Sequence, residues 1–410
     1  MAKEVILITS NFPSYPGEEF LETELKYWAQ HKNVHLTIMP IAMNTKRRPL
    51  PENIALNFAL INKTNKIAIR LFYITKSLIS KMFYRELFTY VLKKPQRFKD
   101  TLISFVRYLY FKDKLKSFLK THNTEELIFY TYWNTEVTYA LQSLKENYGF
   151  KLVSRIHRFD LYQEEKNNQY MPLKRAFLSH IDKIYTITEN AETYLIKTYG
   201  FDKSIIQTSR LGVDLHNIIC TPNRDSYHIL SCSYLTQVKQ IDKLIEALAK
   251  LSNRISGINI KWTHIGSGEL NEEIQKFAYQ ELHSLSNLSY HFLGNLSNKD
   301  VYTFYKGASV DVFVNVSASE GAPVSIMEAL SCHIPIIAPD IGGISEMVIN
   351  KYNGILLSKE FTIDEVVTAL SATEFFKNNA TRRHAFDVYL KKYNAEKNYT
   401  NFIQKVLELK

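Results

Sequence analysis

Valine alternates with other residues through Val310-Asp311-Val312-Phe313-Val314-Asn315-Val316, the two-residue period of a strand. Past Pro323 the period changes. Val324, Met327 and Leu330 recur at helical spacing, and proline suits the first turn of a helix. A strand, a turn and a helix are therefore predicted in that order. The same switching of periods runs along the whole chain. In the first half, strands are predicted at Val5–Thr9, Val34–Pro40, Leu127–Tyr132, near Leu152–Ile156 and at Ile181–Thr188. A turn through Asn11-Phe12-Pro13-Ser14-Tyr15-Pro16-Gly17 precedes a helix from about Glu18 to Gln30, and a later helix is expected to be capped by Asn134. In the second half, strand His228–Tyr234 leads to a helix with Ile241, Leu244, Ile245, Leu248 and Leu251 on one face. Strand Ile258–Ile265 follows, then a helix, a strand and a helix as far as Lys306. Thr362-Ile363-Asp364-Glu365 reads as a capping box. Strands alternating with helices predict the α/β class with parallel sheets, built twice over.

At 410 residues the chain is too long for one ordinary core, and two domains are expected. The predicted boundary lies at Cys220–Asp225, giving a first domain over 1–220 and a second over 221–380. With 45% apolar residues and mixed charge, the composition is that of a globular protein, not a disordered one. Cys220, Cys232 and Cys332 lack metal-ligand or redox spacing, so they read as small buried residues in a reducing compartment. The opening run Met1–Thr9 carries Lys3 and Glu4, so a first strand is expected there and not a signal peptide. No uncharged apolar stretch reaches 18 residues, which excludes a bilayer-spanning helix. The expected location is the cytoplasm.

The net charge of +10 is unevenly spread. From Lys63 to Lys120 there are 15 Lys and Arg against 3 acids (Glu86, Asp100 and Asp113), a local excess of +12 that leaves the remainder slightly acidic. Aromatic and aliphatic residues fill the same segment, among them Leu71, Phe72, Ile79, Phe83, Phe88 and Phe105. Basic helices with bulky apolar faces suit the surface of an anionic membrane. The plainer alternative buries these residues within the first domain and solvates the lysines. No groove-reading or single-strand-binding motif accompanies the charge, which argues against nucleic acid.

The turn before the Val324 helix carries the candidate chemistry. Free N–H groups and the positive dipole end at a helix start make a seat for a diphosphate. Glu320 stands at that loop. Glu328, about 6 Å further along the axis, reaches toward where a ribose would lie. Ser325 either adds a hydroxyl to the seat or faces the neighbouring strand. Lys239 falls in the loop after the first strand of the second domain, where a cation would neutralise a leaving diphosphate. Gly266-Ser267-Gly268 follows a strand, but Asn271 occupies the third glycine position of a dinucleotide fingerprint, which argues against a nicotinamide site. There is no Asp-x-Asp signature and no histidine cluster, so no metal cofactor is expected.

Ser319-Glu320-Gly321-Ala322-Pro323 through Glu328-Ala329-Leu330, followed by Ile334-Pro335-Ile336-Ile337-Ala338, Gly342-Gly343, Glu346 and Asn353-Gly354, resembles the signature of family 4 retaining glycosyltransferases. The resemblance is dense over 210–357 and patchier before it. It implies the GT-B architecture, two facing Rossmann-like domains, with the last helices of 381–410 crossing back onto the first. It implies a nucleoside diphosphate sugar donor, a glycan or polyprenyl-linked acceptor, and capsule, exopolysaccharide or O-antigen assembly at the cytoplasmic membrane face. By resemblance, Glu320, His157 and Lys239 are catalytic. Gly321, Ala322, Val324, Ser325, Glu328, Tyr234 and Gly266 line the donor site, and Gly17 and Glu18 lie on the acceptor side, with capping of the first helix's dipole as the alternative for Glu18. Asp160 is expected to orient the His157 loop. Tyr234 stands where the family carries an arginine, which would leave Lys239 to act with Arg158 or Arg210. His333 stands where the family has a helix-ending glycine and is expected to be left-handed. Two other classes fit the same residues: a GT-B-like sugar-nucleotide epimerase and a non-catalytic nucleotide- or glycan-binding protein.

Overall fold

The computed structural model describes residues 3–15, 17–223 and 225–409. Met1, Ala2, Pro16, Arg224 and Lys410, which the expected first strand, first turn, domain boundary and last helices include, lie outside the described residues. The chain packs as two compact units, Met1–Ser209 with Tyr399–Lys410, and Arg210–Asn398.

The first unit carries β1 (Lys3–Thr9), β2 (Val34–Pro40), β3 (Ile54–Leu56), β4 (Leu127–Thr131), β5 (Lys151–Ile156), β6 (Lys183–Thr186) and β7 (Ile206–Thr208). They form one sheet in the order β3-β2-β1-β4-β5-β6-β7, and every pairing is parallel. Near-continuous apolar strands are what such a sheet needs, because helices cover both faces. Along β1, Ile6 and Ile8 enter one core while Val5 and Leu7 enter the other. Phe402, Ile403 and Val406 of the final helix close the second of these cores, with Phe402 edge-on to Trp28 at 6.4 Å.

The second unit carries β8 (Ser226–Cys232), β9 (Asn259–Ile265), β10 (Leu288–Phe292), β11 (Val312–Val314), β12 (Ile336–Pro339) and β13 (Gly354–Leu357). They form a parallel sheet in the order β10-β9-β8-β11-β12-β13. The Ile241–Arg254 helix buries Ile241, Leu244, Ile245, Leu248 and Leu251 against it, the face its spacing predicted. In each sheet the strand order reverses beside the first strand, between β1 and β4 and between β8 and β11. Loops leaving those strands diverge there and open a crevice at the carboxyl ends.

Several local expectations are corrected. The first helix spans Leu21–Gln30, starting after Glu18, whose backbone is left-handed at φ 56°. Asn134 does not cap the Glu136–Tyr148 helix; Thr135 holds that position and the Asn134 side chain turns to Ser154. Pro323 sits before the Val324–Ser331 helix in extended geometry, so the helix begins one residue later than the proline suggested. The strand predicted over Val310–Val316 pairs only through Val312–Val314, because the Asn315 side chain bonds the Ser317 N–H and turns the chain. In the Thr362 box, the hydroxyl accepts from Glu365 N–H, but the Glu365 carboxylate turns to Ser358. His333 is left-handed at φ 62°, as expected. The units divide at Ser209–Arg210, ahead of the expected 220–221 boundary, because Val213 bridges to Asn394 and Cys220 bonds the Cys332 carbonyl. The helix Asn379–Lys392 stays with the second unit, so only the stretch from Tyr399 belongs with the first.

Candidate active site

In the second unit, four loops meet at the carboxyl end of the sheet. The one after β8 carries Lys239 in a short 3-10 turn, and the one after β11 carries Glu320. They flank the point where strand order reverses. Ala318 N–H bonds the Val238 carbonyl at 2.8 Å, which holds the two loops side by side. Lys239 Nζ lies 2.6 Å from Glu320 Oε1. Ser317 Oγ donates to the same oxygen at 2.7 Å and Asn315 Nδ2 at 3.2 Å. A cation and two neutral donors on one oxygen fix the carboxylate, which is largely buried.

Close backbone approach builds the rest of this edge. Gly266 sits at φ 131°, and a Cβ there would fall 1.9 Å from the Ser233 carbonyl oxygen. Gly342, at φ 53°, would place a Cβ 1.9 Å from the Glu320 carbonyl oxygen, and Gly343 N–H bonds Gly321 at 2.8 Å. Only glycine permits either contact. Beyond the turn, the Pro323 carbonyl accepts from Ile326 and Met327, leaving Val324 and Ser325 N–H at the helix start without intrahelical acceptors. Gly321, Ala322, Val324 and Ser325 are half-buried around this start. Glu328, one turn on, is buried and accepts from Asn298 Nδ2 at 2.6 Å. Burial pushes its carboxyl up to about 7, with the Asn298 bond pulling the other way.

In the first unit, His157, Glu18 and Gly17 gather by the β1–β4 switch. The Glu18 carboxylate accepts from Ser10, Asn11 and Phe12 N–H at 3.0, 2.8 and 2.7 Å, and from Trp133 Nε1 at 2.6 Å. It ties the loop after β1 to the loop after β4, and does not cap its own helix. Gly17 is left-handed at φ 100°. His157 is buried among Phe20, Tyr132 and Trp133, with ring centroids at 5.8, 4.6 and 4.6 Å. Neither ring nitrogen has a hydrogen-bond partner of good geometry among the described residues. Burial and the Arg155 charge hold the ring well below the ordinary histidine range, so it is neutral at pH 7. Asp160 orients this loop, accepting from His157 N–H at 2.7 Å and also from Asn134 N–H. The buried Lys174 ammonium donates to the Asp160 carbonyl and, at 3.2 Å, to Asn134 Oδ1.

Residues 220–393 match the family described as glycosyl transferases group 1. That match falls within the second unit and takes in Lys239, Glu320 and Glu328. Over 256 residues the chain is 27% identical to the O-antigen biosynthesis glycosyltransferase WbnH of Escherichia coli, covering 62% of this chain and 68% of that protein. The lipopolysaccharide outer core galactosyltransferase WaaB, in its apo form, superposes with a TM-score of 0.70 at 16% identity, over 98% of this chain and 99% of that one. Anabaena Alr3699/HepE in complex with UDP and glucose superposes with a TM-score of 0.64 at 13% identity, over 99% of this chain and 100% of that one. These likenesses give the fold as GT-B, as the motifs implied.

The second unit brings together Lys239, Glu320, Gly321, Ala322, Val324, Ser325, Glu328 and Gly266. Tyr234 lies on the loop after β8 with its side chain half exposed. The two arginines considered in support of Lys239 are each engaged with an acid: Arg210 with Glu346 at 2.8 Å and Arg158 with Glu165 at 3.0 Å. Sequence reasoning missed Asn315, Ser317 and Asn298, which hold the two glutamates, and Trp133, which holds Glu18. Asn315 had a signal, as a polar residue at the end of an apolar strand. Asn298 had none, since it pairs with Glu328 from another helix.

Proposed function

We propose that the chain is a retaining hexosyltransferase, moving a hexose from a nucleoside diphosphate sugar to a glycan or polyprenyl-linked acceptor in surface polysaccharide assembly. The observation that carries this reading is the Lys239–Glu320 ion pair at the strand-order reversal, beside a helix start with open N–H groups. In it, Val324 and Ser325 N–H and the Lys239 ammonium receive the departing diphosphate, whose negative charge grows in the transition state. Lys239 then divides its donors between Glu320 and phosphate. Glu320 supports the sugar ring as positive charge develops at the anomeric carbon. Glu328 accepts from the ribose hydroxyls. The acceptor attacks from the face the diphosphate leaves, a phosphate oxygen taking its proton. The cationic duty falls on Lys239 and the helix start, without a resident metal ion.

The names of the O-antigen relative and of the outer core galactosyltransferase support the pathway, and the UDP and glucose held by the Anabaena protein support the donor class. Release of free nucleotide from a panel of UDP- and GDP-hexoses, with and without EDTA, tests the reading. One donor is expected to be turned over equally in both conditions. Glu320→Ala is expected to slow it by about a hundredfold or more, the scale seen when a transition-state contact is removed. Turnover of that variant at the parent rate would refute the role of Glu320.

A further inference from the structure

The segment 63–99 presents an unusual surface. Ile67, Leu71, Phe72, Ile79, Phe88 and Leu92 are exposed, Ile79 at 82% and Ile67 at 75%. These side chains form stripes and are not scattered. Ile67, Leu71 and Leu78 recur along the Ile67–Leu78 helix on the side away from buried Tyr73 and Ser77. Tyr84, Phe88 and Leu92 recur four residues apart along the Lys81–Glu86 helix and the π-type turn Leu87–Val91, with the Tyr84 and Phe88 rings stacked at 6.4 Å. Exposed cations are interleaved: Lys66, Arg70, Lys81, Arg85, Lys93 and Lys94.

The acids of this region are each already engaged. Glu86 is buried and accepts from Tyr170 OH and from Leu173 N–H at 2.8 Å. Asp113 takes Lys76 at 2.5 Å and Tyr73 OH at 3.0 Å. Asp100 takes the Asn168 amide. The outer face is therefore positive and apolar together, with its helices already held in place by Tyr73, Asp113 and Glu86. A merely solvated basic face has no use for Ile79 or Phe88 in water, and contiguous exposed apolar area marks a contact surface.

We propose that this face docks on an anionic lipid bilayer, the cations drawing it to the headgroups and Leu71, Phe72 and Phe88 entering the acyl boundary. Charge complementarity selects this occupant. Each cation near an anionic leaflet adds attraction, whereas a second copy of the same positive face repels the first.

Flotation of the full chain with vesicles tests it, using phosphatidylcholine alone or with roughly a third phosphatidylglycerol. The chain is expected to float only with the anionic vesicles at about 0.1 M salt, and to be released at about 1 M, where the screening length falls to ~3 Å. Lys81→Glu/Arg85→Glu/Lys93→Glu is expected to weaken binding by roughly a hundredfold. Leu71→Ser/Phe72→Ser/Phe88→Ser is expected to weaken it by at least about tenfold, with circular dichroism and nucleotide binding unchanged in both. No flotation at low salt, or equal flotation of parent and variants, would overturn the proposal. So would sedimentation showing a parent dimer that the serine variant dissociates. Flotation needs neither donor nor acceptor, so its failure leaves the transfer chemistry standing, and the reverse also holds.

Discussion

At the scale of single residues, the site rests on how two glutamates are held. Glu320 is fixed by three donors on one oxygen, and Glu328 by one amide inside a buried pocket. Their positions could be read from the turn-and-helix pattern, but their partners could not. Ser317 and Asn315 reach Glu320 only because the chain turns after β11, and Asn298 arrives from a helix thirty residues away. Lys239→Met is expected to lower nucleotide affinity and turnover together by tenfold or more by isothermal calorimetry and steady-state assay, since an ion is lost from a partly dry site. Unchanged diphosphate affinity would remove Lys239 from the seat. Glu328 makes a pH prediction. Its carboxyl is raised from about 4.5 to about 7 in the folded state, so the folded chain holds the proton more tightly than the unfolded one. Stability therefore falls as pH rises between those values, and the full cost is present above pH 7. Glu328→Gln keeps an acceptor for Asn298 and is expected to be more stable than the parent above that pH, on the order of 2–3 kcal/mol, with the gap closing toward pH 4. Urea melts at pH 5 and 8 read this directly. Equal stability at both would mean the carboxyl is not shifted.

At the scale of elements, strand and helix periods were legible almost throughout. The Val34–Pro40 strand and the five-residue apolar face of the Ile241–Arg254 helix stand as predicted. Ends were less legible, because caps depend on contacts beyond the element. Thr135 replaced Asn134 since the Asn134 side chain is taken by Ser154 and Lys174. The basic helices between Lys63 and Lys120 illustrate another limit. Composition cannot say which apolar side chains turn in, and here Phe83, Phe105 and Tyr108 are buried while Phe72, Ile79 and Phe88 are not. The glycine turns carry an element-scale prediction. A methyl group on Gly342 would collide with the Glu320 backbone, so Gly342→Ala is expected to displace that loop and cut donor turnover by at least tenfold. The expected stability loss is only about 1–3 kcal/mol. Full activity in Gly342→Ala would show that the loop tolerates the shift.

At the scale of the whole molecule, each unit is a doubly wound sheet whose strand order reverses where the candidate side chains gather. That much follows from alternating strands and helices. What did not follow is where the units part, since the segment after Ser209 packs with residues near the C-terminus that lie far away in sequence. From Tyr399 on, the final helix belongs to the first unit, where Phe402 lies 4.1 Å from the buried Arg155 guanidinium. Arg155 faces Glu24 at 3.6 Å, and both are fully buried. Arg155→Met alone is expected to cost about 3–5 kcal/mol, because it strands a buried carboxylate, whereas Glu24→Leu/Arg155→Met is expected to restore most of that loss. Thermal melts that rank the double variant below the single one would contradict this. The claim on which the function depends is narrower, that a diphosphate binds at the start of the Val324–Ser331 helix. Crystals soaked with UDP and, in parallel, GDP test it most directly. The expected result is phosphate density within hydrogen-bonding distance of Lys239 Nζ and of Val324 and Ser325 N–H. Nucleotide bound elsewhere, or none at saturation, would contradict it.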